Sequence, residues 1–494
     1  MLNDLFRDDT SLGLLTDQYQ LTMACGYWKT GMAERRAEFH MFYRKNPFHG
    51  GFVIMAGLGT LAEYLRRFRF GPGDLDYLAT LTDRAGHRLF AQEFLDYLGG
   101  LRFACDIHAV PEGTVVFPNE PLVRVQGPLL QAQILETLLL NTINFQSLVA
   151  TKAARVCIAA KGDPVIDFGL RRAQGLAGLA AARAAYIGGC SGTSNVLAGK
   201  LYDIPVVGTH AHSWIMSFEE EREAFAAYAR AMPDNCVFLV DTYGSISGIR
   251  NAIEVGHDLR ARGHEMIGIR LDSGDLAYFS KQARRMLDEA GFPGAKVMAS
   301  NELDEYVITS LKLQGARIDA WGVGTKLVTA YDDPALTGVY KLTAIQDGQS
   351  EWQYKLKLSD QKSKMSIPGL LQVHRHYHEG GLMMADAIAI EDENPAAIDR
   401  IIDPEDNLRR KRLGRSVRHE TLLQALYRNG RLQGEPPELT AVRERVQSQL
   451  SELDDSHKRF EYPHTYPVGL SPTLNGLRDE MIQQERERLS DNGS

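Results

Sequence analysis

"EMIGIRLDSGDLAYFSKQARRMLDEAG", residues 265–291, is the stretch that decides the fold. Its first seven residues are mostly apolar, as expected for a buried strand, and a small polar turn follows. From Leu276 onward the apolar residues recur at spacings of three and four, which predicts an amphipathic helix. Ser273 stands in the predicted N-cap position, and Gly291 is expected to end the helix. The stretch therefore predicts one strand, one turn and one helix.

The same pattern returns along the chain between Ile158 and Leu342. Strand-like runs recur roughly every thirty residues, which is about the length of one β-crossover-β unit. Asn301 is expected to be a second N-cap residue. This rhythm predicts parallel strands in a barrel or a wound sheet. The runs are "PVIDFG" (164–169), "DIPVVGT" (203–209), "CVFLVDT" (236–242), "EMIGIRLDS" (265–273), "AKVMASN" (295–301) and "RIDAWGVGT" (317–325).

The two flanks of this pattern differ from it in character. Residues 1–150 mix helical and strand-like segments, and residues 346–494 are charged and less regularly patterned. We therefore predict an α+β domain at 1–150, a catalytic α/β domain at 151–345, and a C-terminal extension at 346–494 that packs on the N-terminal domain.

Composition narrows the class of protein. The 494 residues, of which 44% are hydrophobic and 24% charged, predict an ordinary globular protein with two or three structural units. A net charge of -8 argues against nucleic acid or an anionic membrane as the main partner. Five dispersed cysteines argue against a disulfide framework. Acidic residues near the start do not fit a signal peptide, and we expect a cytoplasmic protein without a membrane segment.

Polar and charged residues collect just after the predicted strands. Because ligands of parallel α/β folds bind beyond the carboxyl ends of the strands, we expect the functional site there. The residues are Asp167, Arg171 and Arg172; Thr209, His210 and His212; Asp241 and Thr242; Arg270, Asp272 and Asp275; Asn301; and Gly322, Gly324 and Thr325.

Two of these groups suit phosphates. Backbone N–H groups near Gly322 and Gly324 can approach an anion without obstruction by Cβ atoms, although an ordinary glycine-rich turn has the same sequence. Arg171 and Arg172 can offer two guanidinium forks to a polyphosphate, although an exposed arginine pair on a surface is equally compatible with the sequence.

Arg270, Asp272 and Asp275 place a cation and two carboxylates at one strand end. Such charges are costly to bury unless they bind each other or a ligand. Their carboxylates can hold Mg²⁺, which prefers oxygen ligands shared with phosphates, or can accept hydrogen bonds from ribose hydroxyls.

His210 and His212 allow several interpretations. A zinc site is disfavoured because no third histidine or cysteine stands at a suitable spacing. Either histidine can be a structural residue with satisfied hydrogen bonds. Alternatively, Asp241 on the neighbouring strand can hold one imidazole nitrogen while the other serves as a nucleophile or a base, an arrangement that also suits phosphoryl acceptance.

Six dispersed motifs together resemble those of the nicotinate phosphoribosyltransferase family, in matching order. The resemblance implies an irregular α/β barrel of the type II phosphoribosyltransferase kind, with an α+β accessory domain from the N-terminal and later segments. It also implies a homodimer. The implied reaction joins nicotinate and 5-phosphoribosyl 1-diphosphate to give nicotinate mononucleotide and diphosphate in NAD salvage, coupled to ATP hydrolysis. The motifs are "TDQYQLTM", "DFGLRRAQG", "GTHAHSW", "VDTYGS", "IRLDSGDL" and "WGVGT".

The resemblance also implies roles for single residues. His212 would be phosphorylated by ATP and Asp241 would orient it, while His210 has no assigned role beyond lining the pocket. The remaining implied roles concern substrates and Mg²⁺. Nicotinate would be bound by Tyr19, reaching in from a partner subunit, and by Thr209 and Arg270; diphosphate by Arg171 and Arg172; the 5'-phosphate by Gly322, Gly324 and Thr325; ribose or Mg²⁺ by Asp272, with Asp275 as a further metal ligand and Asp167 as a further substrate-binding residue.

Three rival functions remain open at this point. A nicotinamide-using relative is disfavoured by Thr209 and by the "FGLRRAQG" form of the second motif. A barrel enzyme acting on another sugar phosphate would also have glycine-rich strand ends. A non-catalytic sensor of nicotinate or nucleotide would not need His212, Asp241 and Arg270.

Overall fold

The computed structural model describes residues 11–359, 365–414, 416 and 418–491, without the side chains of residues 490 and 491. The chain divides into two compact units. The inserted unit is Leu148–Pro334, and the flanking unit comprises the described residues on either side of it. The sequence-based domain boundaries at 150 and 345 stay a prediction.

The part of the chain before residue 148 mixes helices with short and long strands. Its elements are α1 (Gln18–Lys29), β1 (Arg36–Tyr43), β2 (Val53–Ile54), α2 (Leu58–Arg66), α3 (Pro72–Thr80), α4 (Gln92–Gly100), β3 (Asp106–Ala109), β4 (Val115–Val116), β5 (Val123–Pro128), α5 (Leu129–Ile134) and the start of α6 (Glu136–Ala160).

The inserted unit alternates strands and helices. Its elements after α6 are β6 (Val165–Asp167), α7 (Ala177–Ile187), β7 (Gly192–Thr193), α8 (Val196–Tyr202), α9 (His212–Met216), α10 (Glu221–Ala231), β8 (Val237–Leu239), α11 (Ser245–Ala261), β9 (Gly268–Leu271), α12 (Leu276–Glu289), β10 (Lys296–Ala299), α13 (Glu305–Leu313), β11 (Ala320–Val323) and α14 (Thr325–Val328).

The later part of the flanking unit is rich in strands. Its elements are β12 (Gly338–Gln346), β13 (Gln353–Tyr354), β14 (Leu371–Tyr377), β15 (Met383–Ile390), β16 (Arg400–Ile402), β17 (Arg410–Arg412), β18 (Arg418–Thr421), β19 (Gln424–Arg428), β20 (Arg431–Leu432), α15 (Leu439–Glu452), β21 (Val468–Leu470) and α16 (Pro472–Asp491).

The flanking unit has its main sheet built from both ends of the chain. Seven strands pair in the order β13-β12-β1-β5-β3-β19-β20, and every pair is antiparallel. A second sheet, β17-β16-β21-β15-β14-β18, is mixed, because β15 and β21 run parallel. Strand β1 is buried on both faces, and its buried Glu38 carboxylate lies 3.2 Å from the Arg124 guanidinium. The predicted α+β accessory structure is confirmed.

The inserted unit has a parallel sheet, in the order β7-β6-β11-β10-β9-β8. The α/β prediction is therefore confirmed. The predicted strand at 203–209 is wrong for most of its length, because it contributes one parallel bridge, between Val206 and Thr193. Beyond that bridge, the backbone N–H of Leu239 in β8 donates to Nε2 of His210 at 3.3 Å. The segment from Val206 to His210 thus links the two edge strands of the sheet, β7 through one bridge and β8 through one side-chain hydrogen bond.

Two helix starts differ from their predictions. The N-cap of α12 is Asp275, whose Oδ1 accepts the Tyr278 N–H at 2.9 Å, while the hydroxyl of Ser273 donates to Asp241. The N-cap of α13 is Asp304, because Asn301 lies earlier in the turn with a left-handed φ of 112°. Gly291 follows α12 with a φ of 79°, as a helix-ending glycine should.

Among the described residues, no helix is both long enough and apolar enough to cross a bilayer.

Candidate active site

A cavity of about 280 Å³ opens at the carboxyl ends of the parallel strands in the inserted unit. Ten residues predicted from the sequence line it, in agreement with the rule that parallel strands place their carboxyl ends at one edge. They are Arg171, Arg172, Thr209, His210, Arg270, Asp272, Asn301, Gly322, Gly324 and Thr325; the other lining residues are Phe168, Ser194, Gly208, Ala211, Ser300 and Glu302.

Three hydrogen bonds hold the Arg270 guanidinium in this cavity. Its Nε donates to Ser300 Oγ at 2.7 Å, its Nη1 to Thr209 Oγ1 at 3.0 Å, and its Nη2 to Asp272 Oδ1 at 2.7 Å. Its guanidinium carbon lies 5.3 Å from the centre of the Phe168 ring. A guanidinium has five N–H groups, so these contacts among the described residues leave two for a ligand. The group is preorganised for a planar carboxylate beside an aromatic ring.

Asp272 is an ionised partner within the same cluster. Its Oδ1 accepts hydrogen bonds from Arg270 and from the Ser300 hydroxyl. Burial favours the neutral acid, but the Ser300 hydrogen bond and the Arg270 charge outweigh it and lower the pKa of Asp272. Its Oδ2 lies 3.8 Å from Nε2 of His212. One carboxylate oxygen therefore fixes Arg270 and the other faces the histidine.

His212 stands at the start of α9 with 40% of its side chain exposed. Its Nδ1 lies 3.1 Å from the hydroxyl of Thr242, the residue after Asp241. Asp241 instead accepts the Asp272 N–H at 2.8 Å and the Ser273 hydroxyl at 2.6 Å through Oδ2. Its Oδ1 is buried with no hydrogen-bond partner in the part of the chain that the structure describes. The structure thus places Thr242 at Nδ1 of His212, and an orienting role for Asp241 stays a prediction.

His210 has a structural position instead. It is 7% exposed, and its ring lies 5.0 Å from that of Tyr228 and 6.4 Å from that of Phe238. Its Nε2 accepts the Leu239 N–H, so this nitrogen carries no proton. Burial lowers the pKa of His210 to about 4, because the charged imidazolium would lose its hydration. His210 is therefore a neutral link between the ends of the sheet, at the edge of the cavity.

We predict that His210→Gln makes the protein less sensitive to acid. Below pH 6.5 the unfolded chain protonates His210, whereas the folded chain resists protonation down to about pH 4, so this residue costs stability as the pH falls through that range. The unfolding free energy of the variant, relative to that of the wild type, should rise by up to about 3 kcal/mol as the pH falls from 7 to 4. Urea unfolding at pH 7, 5.5 and 4.5 measures it. His87→Gln, at a side chain 80% exposed, serves as the control, and a parallel response of the two variants would contradict the prediction.

The glycine-rich end of β11 packs closely against an aromatic ring. A Cβ atom on Gly322 would lie 2.6 Å from the Phe168 ring, and one on Gly324 would lie 3.3 Å from the Phe168 carbonyl oxygen. The absence of side chains therefore lets the ring and the turn approach each other. Asp167, directly before Phe168, is buried, and its carboxylate accepts the Gly169 N–H at 2.8 Å and the Thr193 hydroxyl at 2.7 Å. Asp167 therefore orders the turn after β6 that carries Phe168, and it is not among the residues that line the cavity.

Comparisons with known proteins agree with this geometry. Family sequence profiles match residues 14–144 (nicotinate phosphoribosyltransferase N-terminal domain), 164–365 (nicotinate phosphoribosyltransferase family) and 371–478 (nicotinate phosphoribosyltransferase C-terminal domain). The chain is 44% identical to nicotinate phosphoribosyltransferase of Bacillus subtilis over 99% of both chains. It is 40% identical to nicotinate phosphoribosyltransferase pncB2 of Mycobacterium tuberculosis, over 94% of this chain and 92% of the relative. The chain belongs to the nicotinate phosphoribosyltransferase family.

Solved structures that superpose on this fold include a member of the same family. Human nicotinic acid phosphoribosyltransferase superposes with a TM-score of 0.83 at 32% identity, covering 94% of this chain and 100% of the human chain. Nicotinate-nucleotide pyrophosphorylase of Pyrococcus furiosus superposes with a TM-score of 0.68 at 21% identity, over 89% of this chain and 95% of that chain, which shows a shared fold. The nicotinate phosphoribosyltransferase architecture thus extends over nearly the whole sequence.

Some members of the nicotinate phosphoribosyltransferase motif set lie outside the cavity lining. Asp275 caps α12, and His212 and Asp241 stand behind Asp272. Tyr19 lies on α1 of the flanking unit, 49% exposed, and its role at nicotinate stays a prediction.

Sequence reasoning missed Phe168 and Ser300 of this site. Phe168 stands inside the quoted run "DFGLRRAQG", and Ser300 directly precedes Asn301. Both are uncharged and were not recognised among the charged and glycine-rich strand ends, although each is adjacent to a predicted site residue. Thr242 was among the predicted residues, but its contact with His212 was not expected, because Asp241 was the predicted partner.

Proposed function

We propose that this chain transfers the phosphoribosyl group of 5-phosphoribosyl 1-diphosphate to nicotinate, giving nicotinate mononucleotide and diphosphate for NAD salvage, with ATP hydrolysis coupled through phosphorylated His212. The observation that carries the proposal is Arg270, held by Ser300, Thr209 and Asp272 with two N–H groups left beside the Phe168 ring. An aromatic carboxylic acid suits this arrangement. Family membership and the relatives named above support the choice of nicotinate.

In this proposal the nicotinate carboxylate pairs with Arg270 and its ring lies against Phe168. That orientation leaves the ring nitrogen free to attack C1 of the ribose, with Tyr19 of a partner subunit covering the other face. The C1–oxygen bond to diphosphate breaks as the new C1–nitrogen bond forms. Charge develops on the departing oxygens, so cationic groups placed there lower the barrier.

The leaving diphosphate faces Arg171 and Arg172, which end the short 3₁₀ turn Leu170–Arg172 at the cavity. Gly322, Gly324 and Thr325 take the 5'-phosphate through backbone N–H groups and a hydroxyl. His212, after accepting a phosphoryl group from ATP, adds negative charge next to Asp272. Hydrolysis of the phosphohistidine then releases phosphate and makes the overall transfer more favourable.

Mg²⁺ is part of the proposal, and the donor set fits a shared rather than a dedicated site. Among the described residues no three histidine, cysteine or carboxylate side chains form a metal cluster. Two carboxylate oxygens are nevertheless available. They are Asp272 Oδ2 and the buried Asp241 Oδ1, which has no hydrogen-bond partner within the described part of the chain. Mg²⁺ commonly takes one or two carboxylates together with water and substrate phosphates, and it would neutralise charge on the diphosphate. Asp275 fits less well, because it caps α12.

A homodimer is proposed as well. Apolar side chains are exposed on α8 and on the neighbouring Val206, which packs against Gly199; they are Val196 at 69%, Leu197 at 48%, Leu201 at 54% and Val206 at 51%. A cluster of this kind is typical of a protein–protein contact. Light scattering would test the oligomeric state, and the cytoplasmic location stays a prediction.

The deciding experiment compares nicotinate, nicotinamide and quinolinate as acceptors with the same phosphoribosyl donor. Product from nicotinate alone supports the proposal, and faster product from nicotinamide or quinolinate would replace it with a related transferase. Binding of nicotinate without turnover, with donor and ATP present, would identify a sensor.

We predict that Gly322→Ala weakens nicotinate binding. The new methyl group would meet the Phe168 ring at 2.6 Å, so the ring must leave the position in which it flanks Arg270. We expect the KM for nicotinate to rise about tenfold with little change in the KM for ATP. Gly73→Ala is the control, because a Cβ there meets nothing within 4 Å. An unchanged KM for nicotinate in the Gly322 variant would remove Phe168 from the proposed site.

A further inference from the structure

Two loops face each other across the phosphate end of the cavity. The loop after β10 contributes Ser300, Asn301 and Glu302, and the end of β11 with the turn that follows it contributes Gly322, Gly324 and Thr325. The ladder between β10 and β11 pairs Met298 with Ala320 and Ala299 with Trp321, and it ends before either loop reaches the cavity. Gly322 and Val323 still pair with Ile166 and Asp167 of β6, so Gly324 and the residues after it are the part of this turn that side chains connect to the β10 loop.

An ion pair joins these two loops. Nζ of Lys326, in the first turn of α14, lies 2.5 Å from Oδ2 of Asp304, which is 6% exposed on its side chain. The other oxygen of Asp304 accepts the Val307 N–H at 2.7 Å and so caps α13. A weaker link runs in parallel, since the Thr325 hydroxyl lies 3.5 Å from Glu302 Oε1. One oxygen of Asp304 therefore caps α13, and the other pairs with Lys326.

The Asp304 end of this pair is anchored to the interior of the inserted unit. Its neighbour Glu305 is fully buried and pairs with Lys152 at 2.8 Å and with Arg155 at 2.7 Å, both on α6. Breaking such a buried pair is costly, so the start of α13 is a rigid reference point. On the other side, the ladder to β6 ends at Val323 and Lys152 reaches Asp332 beyond α14 at 2.5 Å, so we expect any shift on breaking the pair to be confined to Gly324, Thr325 and Lys326.

Both members of the pair are charged at neutral pH. Burial opposes the charge on each, but the hydrogen bond between them lowers the pKa of Asp304 and raises that of Lys326. The ammonium also lies 5.5 Å from the centre of the Tyr331 ring, which gives it a second favourable contact.

We propose that Asp304 and Lys326 are a positioning pair that sets the opening of the phosphate turn, so that the 5'-phosphate meets Gly322, Gly324 and Thr325 at the right distance. This inference rests on the proposed function and assigns a specific substrate group to the pair. The pair acts through the turn and touches no reacting atom.

The competing interpretation is that Lys326 itself binds the phosphate and rests on Asp304 when no ligand is present. The two interpretations give opposite results for Asp304→Asn. An asparagine can still accept the Val307 N–H, so α13 keeps its cap, but the charge that holds Lys326 is lost. A positioning pair then loses phosphate affinity, whereas a ligand lysine is freed and phosphate binds equally well or more tightly.

The experiment measures ribose 5-phosphate binding by calorimetry, together with the KM for 5-phosphoribosyl 1-diphosphate and for nicotinate. In Lys326→Met and in Asp304→Asn we expect the Kd for ribose 5-phosphate and the KM for the donor to rise about tenfold, with the KM for nicotinate within about twofold. Lys326→Arg should recover most of the affinity, because the ion pair can form again. Unchanged or tighter binding in Asp304→Asn, or equal changes in all three constants, would overturn the proposal.

Lys312→Met is the matched control. Lys312 is as exposed as Lys326, at 22%, and pairs with Asp163 at 2.7 Å, but it lies at the far end of α13. The Lys312→Met substitution should lower the Tm about as much as Lys326→Met does, and it should leave ribose 5-phosphate binding unchanged. If the wild type binds ribose 5-phosphate but converts no acceptor, the proposed function fails while the binding measurements still decide the role of the pair. If the wild type does not bind ribose 5-phosphate, the pair has no phosphate to position and the proposal fails.

Discussion

Arg270→Ala is expected to lower kcat/KM for nicotinate by about a thousandfold, mostly through KM. Two charge-assisted hydrogen bonds to the nicotinate carboxylate disappear, and each is worth roughly 1.5–3 kcal/mol. A loss near 4 kcal/mol corresponds to about three orders of magnitude. The KM for ATP should change little, because Arg270 serves the acceptor. Steady-state kinetics with each substrate varied in turn measures the split.

The conservative variant separates charge from shape. Arg270→Lys keeps a cation but loses the planar fork and the geometry that holds it to Ser300, Thr209 and Asp272, so we expect an intermediate loss. Thermal unfolding of both variants is needed, because removal of the guanidinium leaves Asp272 without its cation. Equal increases in the KM for nicotinate and for ATP would show that Arg270 is not the carboxylate-binding group.

His212→Ala is expected to abolish the response to ATP. The imidazole is the only proposed acceptor of the phosphoryl group, so labelled ATP should no longer label the protein, and the remaining rate should not respond to ATP. In the wild type the label should be lost in acid and retained in base, as expected for a phosphohistidine. Incubation with labelled ATP, followed by both treatments, measures the effect.

His257→Ala is the control for this result. His257 is an exposed histidine on α11 of the same unit, and its loss should leave labelling intact. Persistent acid-labile labelling in the His212 variant, or undiminished coupling of ATP hydrolysis to product, would move the phosphoryl acceptor to another residue. Thr242→Val is informative beside it, because it removes the hydroxyl at Nδ1 and keeps the side-chain volume.

The sequence predicted which residues would meet because topology alone brings them together. Arg270 and Gly322 are far apart in the chain, but both lie near the carboxyl ends of parallel strands in one sheet, and those ends share an edge. The α/β class and the accessory sheet followed from the same periodicities. Predictions of this kind require only that the strands run parallel, which the connecting helices ensure.

Other features depend on atomic distances that no periodicity encodes. The partner of His212 is Thr242 because of how α9 leaves the turn, and the N-cap of α12 is Asp275 because Ser273 turns toward Asp241. His210 links Leu239 only because the run before it fails to complete a strand. Side-chain packing decides these details, and one residue more or less in a turn would change them.

The discontinuous sheet of the flanking unit has a consequence for biosynthesis. Strand β1 pairs with β12, so Arg36 cannot pair with Gln346 until that residue has left the ribosome. In the same way, β3 cannot pair with β19 until β19 has been synthesised. The inserted unit is contiguous in sequence, so its strands do not depend on a segment that is synthesised much later. Translation order therefore favours its early folding, while the nascent strands around β1 keep unpaired edges for most of synthesis, the period in which chaperones would shield them.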